Sequence, residues 1–140
     1  MPGGQNNLMA MEKVLLGGAF NILHPGHVKL LKAAKRLGYL VVVVASDQTV
    51  RKSKGFLLAT AKDRAMMVRC LGIADKVVIG HRSDFLLTVK KVRPTIVALG
   101  YDQSLGTQLA RRLKQMGIRI VIMEKYGGYS TRAILRKAKA

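Results

Sequence analysis

Two histidines, His24 and His27, close the segment Gly17-Gly18-Ala19-Phe20-Asn21-Ile22-Leu23-His24-Pro25-Gly26-His27. At this spacing, at the mouth of a helix, both imidazoles fall on one side of its first turn. The backbone N–H groups of that turn favour an anion. Pro25 suits the first helical position. Gly26 carries no side chain, so a ligand can approach the backbone closely, and Gly17 and Gly18 give the same access before the loop. These features make a cradle for phosphate oxygens, most effective where its hydrogen bonds strengthen as charge builds in a transition state. Zinc ligation is a rival reading, but the loop offers no Cys, Asp or Glu as a third ligand. Incidental surface histidines are the blander one. The flanking glycines, a strand before and a helix after favour phosphate.

The elements that must position this loop follow from the apolar pattern. Lys13 to Phe20 reads as a buried strand meeting a tight turn. From His27, Leu30, Leu31, Ala34 and Leu37 keep helical spacing while Lys29, Lys32, Lys35 and Arg36 point outward; Gly38 stops that helix. Leu40 to Ala45 is a strand covered on both faces. Asp47 to Ala59 reads as a polar, basic loop. Thr60 caps a helix reaching Leu71, and Lys76 to Ile79 is a strand. Ser83 or Asp84 caps a helix to Val92, closed by Pro94, and Thr95 to Leu99 is the next strand. Leu105, Leu109, Leu113 and Met116 share one helix face, Ile118 to Met123 is the last strand, and Ser130 opens a C-terminal helix. Alternation of five strands with helices predicts an α/β, Rossmann-like, doubly wound parallel sheet with helices on both faces. Its ligands belong beyond the carboxyl ends of the strands. The expected organisation is a leader at residues 1–11 and a single domain over 12–140.

The chain has 140 residues, enough for a real core. Its single cysteine, Cys70, excludes an internal disulfide framework and fits a reducing cytoplasm. The N-terminus lacks the features of a signal peptide, and no apolar run is long enough to cross a bilayer, so no membrane partner is expected. Twenty-five basic against 7 acidic residues give a net charge of +18, a field that attracts polyanions. Few aromatic residues and no Trp leave poor stacking platforms for single strands, so nucleic acid is not the expected partner. The basic helical clusters read as solvated faces; Arg51, Lys52 and Lys54 do not.

The loop resembles that of the His-x-Gly-His nucleotidyltransferase superfamily, here as His24-Pro25-Gly26-His27. That group includes cytidylyltransferases, pantetheine-phosphate adenylyltransferase and archaeal FAD synthase. The resemblance extends through Val42 to Val50, Asp63-Arg64 with Met67-Val68, Asp75 to Gly80, Gly100-Tyr101-Asp102-Gln103 and Tyr129-Ser130-Thr131-Arg132. It covers nearly all of residues 12–137. The archaeal FAD synthase branch is nearest, because Leu99 to Gln103 is similar to its fourth-strand motif.

The resemblance implies a nucleotidyltransferase that moves AMP from ATP to FMN, giving FAD and pyrophosphate. His24, His27 and Arg132 would be catalytic. Ala19, Phe20, Pro25, Gly26, Asp102, Tyr129, Ser130 and Thr131 would join the histidines in holding the nucleotide. Arg51, Lys52 or Lys54 would bind the acceptor's phosphate. Mg²⁺ would come with the nucleotide, through phosphates and water rather than protein ligands. Relatives often pair, so a homodimer is the expected assembly. The chain departs from the pattern at Asn21, where many relatives carry Asp, at Ala61-Lys62-Asp63, which replaces a more acidic helix start, and in lacking C-terminal cysteines. The alternatives are CTP with glycerol 3-phosphate or another small phosphorylated alcohol, and a basic nucleic-acid-binding module with a vestigial nucleotide site.

Other residues read more plainly. His81 is a solvent-facing loop residue, Cys70 a buried inert thiol and the methionines core filler. Asp75 pairs with a nearby base, and Tyr126 to Tyr129 form a turn.

Overall fold

The computed structural model describes residues 11–125, except the Lys54 side chain. Five strands form one parallel sheet: β1 (Lys13–Gly18), β2 (Tyr39–Val44), β3 (Lys76–Ile79), β4 (Ile96–Leu99) and β5 (Arg119–Ile122). The order across the sheet is β3-β2-β1-β4-β5. The order reverses between β1 and β4, so the crevice of a doubly wound sheet opens beyond their carboxyl ends.

Side-chain alternation along the strands builds two cores. Val14 and Leu16 of β1 and Leu40, Val42 and Val44 of β2 pack on one face. Leu15, Val41 and Val43 pack on the other. Both faces are buried, which is why β2 reads as an unbroken apolar run rather than an alternating one. Helices α1 (Pro25–Lys35) and α3 (Ala61–Cys70) cover the first face through Leu31, Ala34, Ala65 and Val68. Helices α4 (Phe85–Val92) and α5 (Thr107–Gln115) cover the second through Val89, Val92 and Leu113.

The expected elements are present within a residue or two at most ends, and the caps are where the sequence places them. Thr60 accepts from the Asp63 amide at 3.2 Å, and Asp84 accepts from the Leu86 amide at 2.9 Å. Lys29, Lys32, Lys35 and Arg36 lie on the exposed side of α1. Asp75 pairs with Lys35 at 2.6 Å and also accepts from the Leu40 amide, fixing the start of β2.

Three expectations need correction. The segment from Asp47 is not all loop: Asp47–Lys54 forms a further helix, α2. Ser46 caps it by accepting from the Thr49 amide at 3.1 Å, and Gly55 ends it at φ 78. Val50 is its one buried apolar side chain, too little for a periodic signal. Cys70 is exposed rather than buried, because it falls on the outer side of α3. Met66, Met67 and Met116 are also exposed; among the described methionines only Met123 is core. The expected leader, apart from Met11, and the C-terminal helix lie outside the described residues.

Gly38 turns the chain from α1 into β2 at φ +154, and a Cβ there would collide with the Glu12 carbonyl. That carbonyl already accepts from the Tyr39 amide at 2.8 Å, so moving it aside would strain that bond. Gly38→Ala should therefore lower the unfolding free energy by about 2 kcal/mol or more, as strained backbone does. Urea titration of the two proteins measures it.

Candidate active site

β1 delivers the chain to the sheet's carboxyl edge, and the loop after it runs to His24, the N-cap of α1. Pro25 takes the first helical position and Gly26 is buried, as the sequence requires. The first turn of α1 carries no acidic residue to oppose an anion.

The two imidazoles lie face to face, ring centres 3.7 Å apart and planes 28° from parallel. The His24 backbone amide donates to Nδ1 of His27 at 3.3 Å. An amide can only donate, so this Nδ1 is an acceptor and the ring's proton sits on Nε2. Burial, and secondarily the neighbouring His24, push the His27 pKa down to about 4. Burial lowers that of His24 as well. Both rings are thus neutral donors at pH 7 when no anion is bound.

Phe20 fixes the wall behind them. Its ring centre is 5.2 Å from that of His27, and its backbone adopts φ 53, unusual for a bulky residue. A Cβ at Gly18 would stand 2.8 Å from the Phe20 ring. Gly18 therefore makes room for Phe20, a role that spacing alone does not show.

What holds this loop is Arg64, 1% exposed on α3. Its Nη1 donates to the carbonyls of Ala19 at 2.7 Å and Ala45 at 2.8 Å. Its Nε donates to the Ala59 carbonyl and its Nη2 to Asp47, both at 2.9 Å. Ala19 and Ala45 are the residues just past paired positions Gly18 and Val44 of β1 and β2. Asp47 also accepts from the Ala61 amide at 2.7 Å, joining the starts of α2 and α3. Gln103 is the second such tie. It accepts from the Gly100 amide at 2.8 Å and donates to the Gly17 carbonyl at 3.1 Å, across the β1–β4 reversal. Sequence reasoning placed neither among the site residues, although both lie in segments that carry the resemblance. A buried-register arginine beside a capping Thr60 was the available signal for Arg64.

The remaining expected residues fall as follows. Ala19, Phe20, His24, Pro25, Gly26 and His27 come together in the loop after β1 and the first turn of α1. Arg51 and Lys52 are exposed on α2, which begins where β2 reaches the same edge; Lys54 lies on that helix too. Asp102 is exposed in the turn after β4. Tyr129, Ser130, Thr131 and Arg132 lie outside the described residues. Among the described residues, no three His, Cys, Asp or Glu side chains group as a metal site.

The family described as cytidylyltransferase-like matches residues 15–137. The chain belongs to that family. It is 38% identical over 120 residues to an FAD synthase of Picrophilus torridus, covering 83% of this chain and 86% of the relative. It is 41% identical over 121 residues to an FAD synthase of Aciduliprofundum boonei, covering 84% and 81%. A crystal structure titled as a lipopolysaccharide core biosynthesis protein from Thermoplasma volcanium is 36% identical. It superposes with a TM-score of 0.74, covering 86% of this chain and 99% of that one. A pantoate-beta-alanine ligase from Francisella tularensis, at 12% identity and TM-score 0.59, shares the fold. For a cytidylyltransferase-like protein the histidine loop at the β1 edge is therefore the candidate active site.

Two measurements test this geometry. His27 has a folded-state pKa below its unfolded value near 6.5. The unfolded chain thus takes up the proton first on acidification. Stability should be full above pH 6.5 and fall as pH drops towards 4, by on the order of 1–3 kcal/mol. His27→Gln should flatten that slope, leaving the smaller part due to His24; denaturant titrations between pH 4 and 7 check it. Arg64→Ala strands Asp47 and three carbonyls and should cost about 3–5 kcal/mol, read as a lowered urea midpoint.

Proposed function

We propose that the chain is an FMN adenylyltransferase, joining the AMP part of ATP to FMN with release of pyrophosphate. Carrying the reading is the identity of about 40% to FAD synthases over more than four-fifths of the chain. The neutral imidazole pair at a helix N-terminus agrees with it.

An oxygen of the FMN phosphate attacks the α-phosphorus of ATP, and the bond from that phosphorus to the oxygen bridging to the β-phosphate breaks. No covalent enzyme intermediate is needed, since the acceptor is itself the nucleophile. The protein's part is positioning and charge stabilisation. Nε2–H of His27, aimed by its Nδ1 bond, donates to phosphate oxygens. His24 and the amides of the first α1 turn act alongside it.

The backbone of Ala19 and Phe20 meets the nucleotide, and Asp102 its sugar or base. In this reading Tyr129, Ser130, Thr131 and Arg132 complete the phosphate site, Arg132 with its fork of donors. Arg51, Lys52 and Lys54 take the acceptor's phosphate. A divalent cation, Mg²⁺ in this reading, would come with the triphosphate and would offset its charge. The setting is the cell interior, where ATP and FMN are found. No helix among the described residues is long and apolar enough to cross a membrane.

CTP with glycerol 3-phosphate is the rival to exclude. Chromatographic turnover with ATP or CTP against FMN and glycerol 3-phosphate should give FAD from ATP and FMN; CDP-glycerol as the product would overturn the acceptor. In the same assay His24→Ala should lower kcat by about 10²–10³, as for loss of one preorganised donor. An unchanged rate would remove His24 from the mechanism.

A further inference from the structure

Phe20, Ile22, Leu23, Leu58, Met66 and Met67 line a cleft of about 590 Å³ next to the histidine loop. We propose that this cleft seats the tricyclic flavin ring of FMN; the inference rests on the FMN reading and gives its acceptor a location.

The cleft has the volume of a small-molecule site and the apolar wall such sites use. Leu58, Met66 and Met67 are 51%, 53% and 54% exposed and grouped around this one cleft. Grouped apolar exposure of this kind marks a contact surface. Thioethers are polarisable and make favourable contacts with aromatic rings. Glycerol 3-phosphate has no ring to cover them.

Continuity with the histidine loop supports the placement. Phe20 belongs to both, since its ring also lies against His27. Leu23 directly precedes His24. Asn21 accepts from the Leu58 amide at 3.3 Å and donates to the Phe56 carbonyl at 3.5 Å. The segment that presents Leu58 is thereby fastened to the loop that carries the histidines. An Asp at this position could only accept.

Asp63 and the inward-turned Arg64 also line the cleft, and exposed cations stand on the neighbouring helix. α2, with Arg51 and Lys52 exposed, runs directly into the Phe56–Leu58 segment. FMN is anionic at one end and an apolar ring at the other, joined by the ribityl chain. The protein presents cations on α2 and thioethers on α3, with the histidine loop against the same cleft.

The test uses the whole chain as Leu58→Ser and as the Met66→Ser/Met67→Ser double variant. These side chains are more than half exposed and outside both cores, so the fold does not depend on them. The readouts are the FMN Kd from quenching of flavin fluorescence and the KM values for FMN and ATP. Each variant should raise the FMN Kd and KM about 10-fold or more, the scale of lost apolar pocket contacts. The ATP KM and kcat should stay within about twofold, as when uniform binding of one substrate is lost. If the unmodified protein makes FAD but both variants bind FMN as it does, the cleft is not the flavin site and the FMN reading survives. If the unmodified protein neither makes FAD nor quenches FMN, the acceptor reading itself fails and the inference with it.

Discussion

One guanidinium closes the carboxyl edge of this sheet at β1 and β2. Parallel strands that end together leave carbonyls pointing past the last ladder bond, at Ala19 after β1 and Ala45 after β2. A buried carbonyl without a donor costs as much as a lost hydrogen bond. Arg64 reaches both from α3 and takes Ala59 and Asp47 as well. Burying the charge is unfavourable by several kcal/mol unless its donors are met, and here four donated bonds meet it. Loops that would otherwise leave the sheet independently are held to a common point. The positive φ of Phe20, the seat of its ring against Gly18, and the approach of the chain to His24 all lie just downstream.

The histidines then need little beyond their setting. Packing against Phe20 and one another removes water from the rings and keeps them neutral. A pair of neutral imidazoles 3.7 Å apart tolerates the stacking that two imidazolium ions would resist. The same amide bond that orders the N-cap selects the tautomer, so the helix start and the donor are one device. In the proposed reaction this matters because a donor already oriented pays no reorganisation as phosphate charge develops.

Much of the architecture was legible because its causes are local. The β-branched run of β2 can only be a strand buried on both faces, and Thr60, Asp84, Pro25 and Gly38 mark helix ends by their own chemistry. The histidine loop was legible for the same reason, with its residues contiguous in sequence. Helix α2 was not, since a cap at Ser46, a stop at Gly55 and one buried Val50 give no period to detect. Arg64 and Gln103 escaped assignment because the bonds that matter most, to the carbonyls of Ala19 and Ala45 and of Gly17, reach main-chain oxygens far away in sequence, which side-chain identity does not encode. Met66, Met67 and Cys70 were read as core because helix-face assignments shift by one position easily on α3, where even the buried Arg64 interrupts the apolar stripe. Exposure there is a tertiary fact: the sheet takes Ala65 and Val68, and the thioethers are left on the cleft side.

The strong positive charge has a narrower bearing on the site than its size suggests. Lys29, Lys32, Lys35 and Arg36, and likewise Arg111, Arg112 and Lys114, stand on outer helix faces, where a Debye length of about 8 Å at physiological ionic strength screens them. Arg64 is turned inward to carbonyls and Asp47. In the proposed site, close-range compensation of a bound phosphate is assigned to neutral donors, the imidazoles and helix amides, and to Arg51 and Lys52 at the neighbouring strand end. The distant cations contribute a field that draws anions to the molecule, while neutral, fixed dipoles discriminate between a bound phosphate and one that is changing partners. That division is what electrostatic preorganisation requires, because a fixed dipole responds to where charge develops and a diffuse field does not.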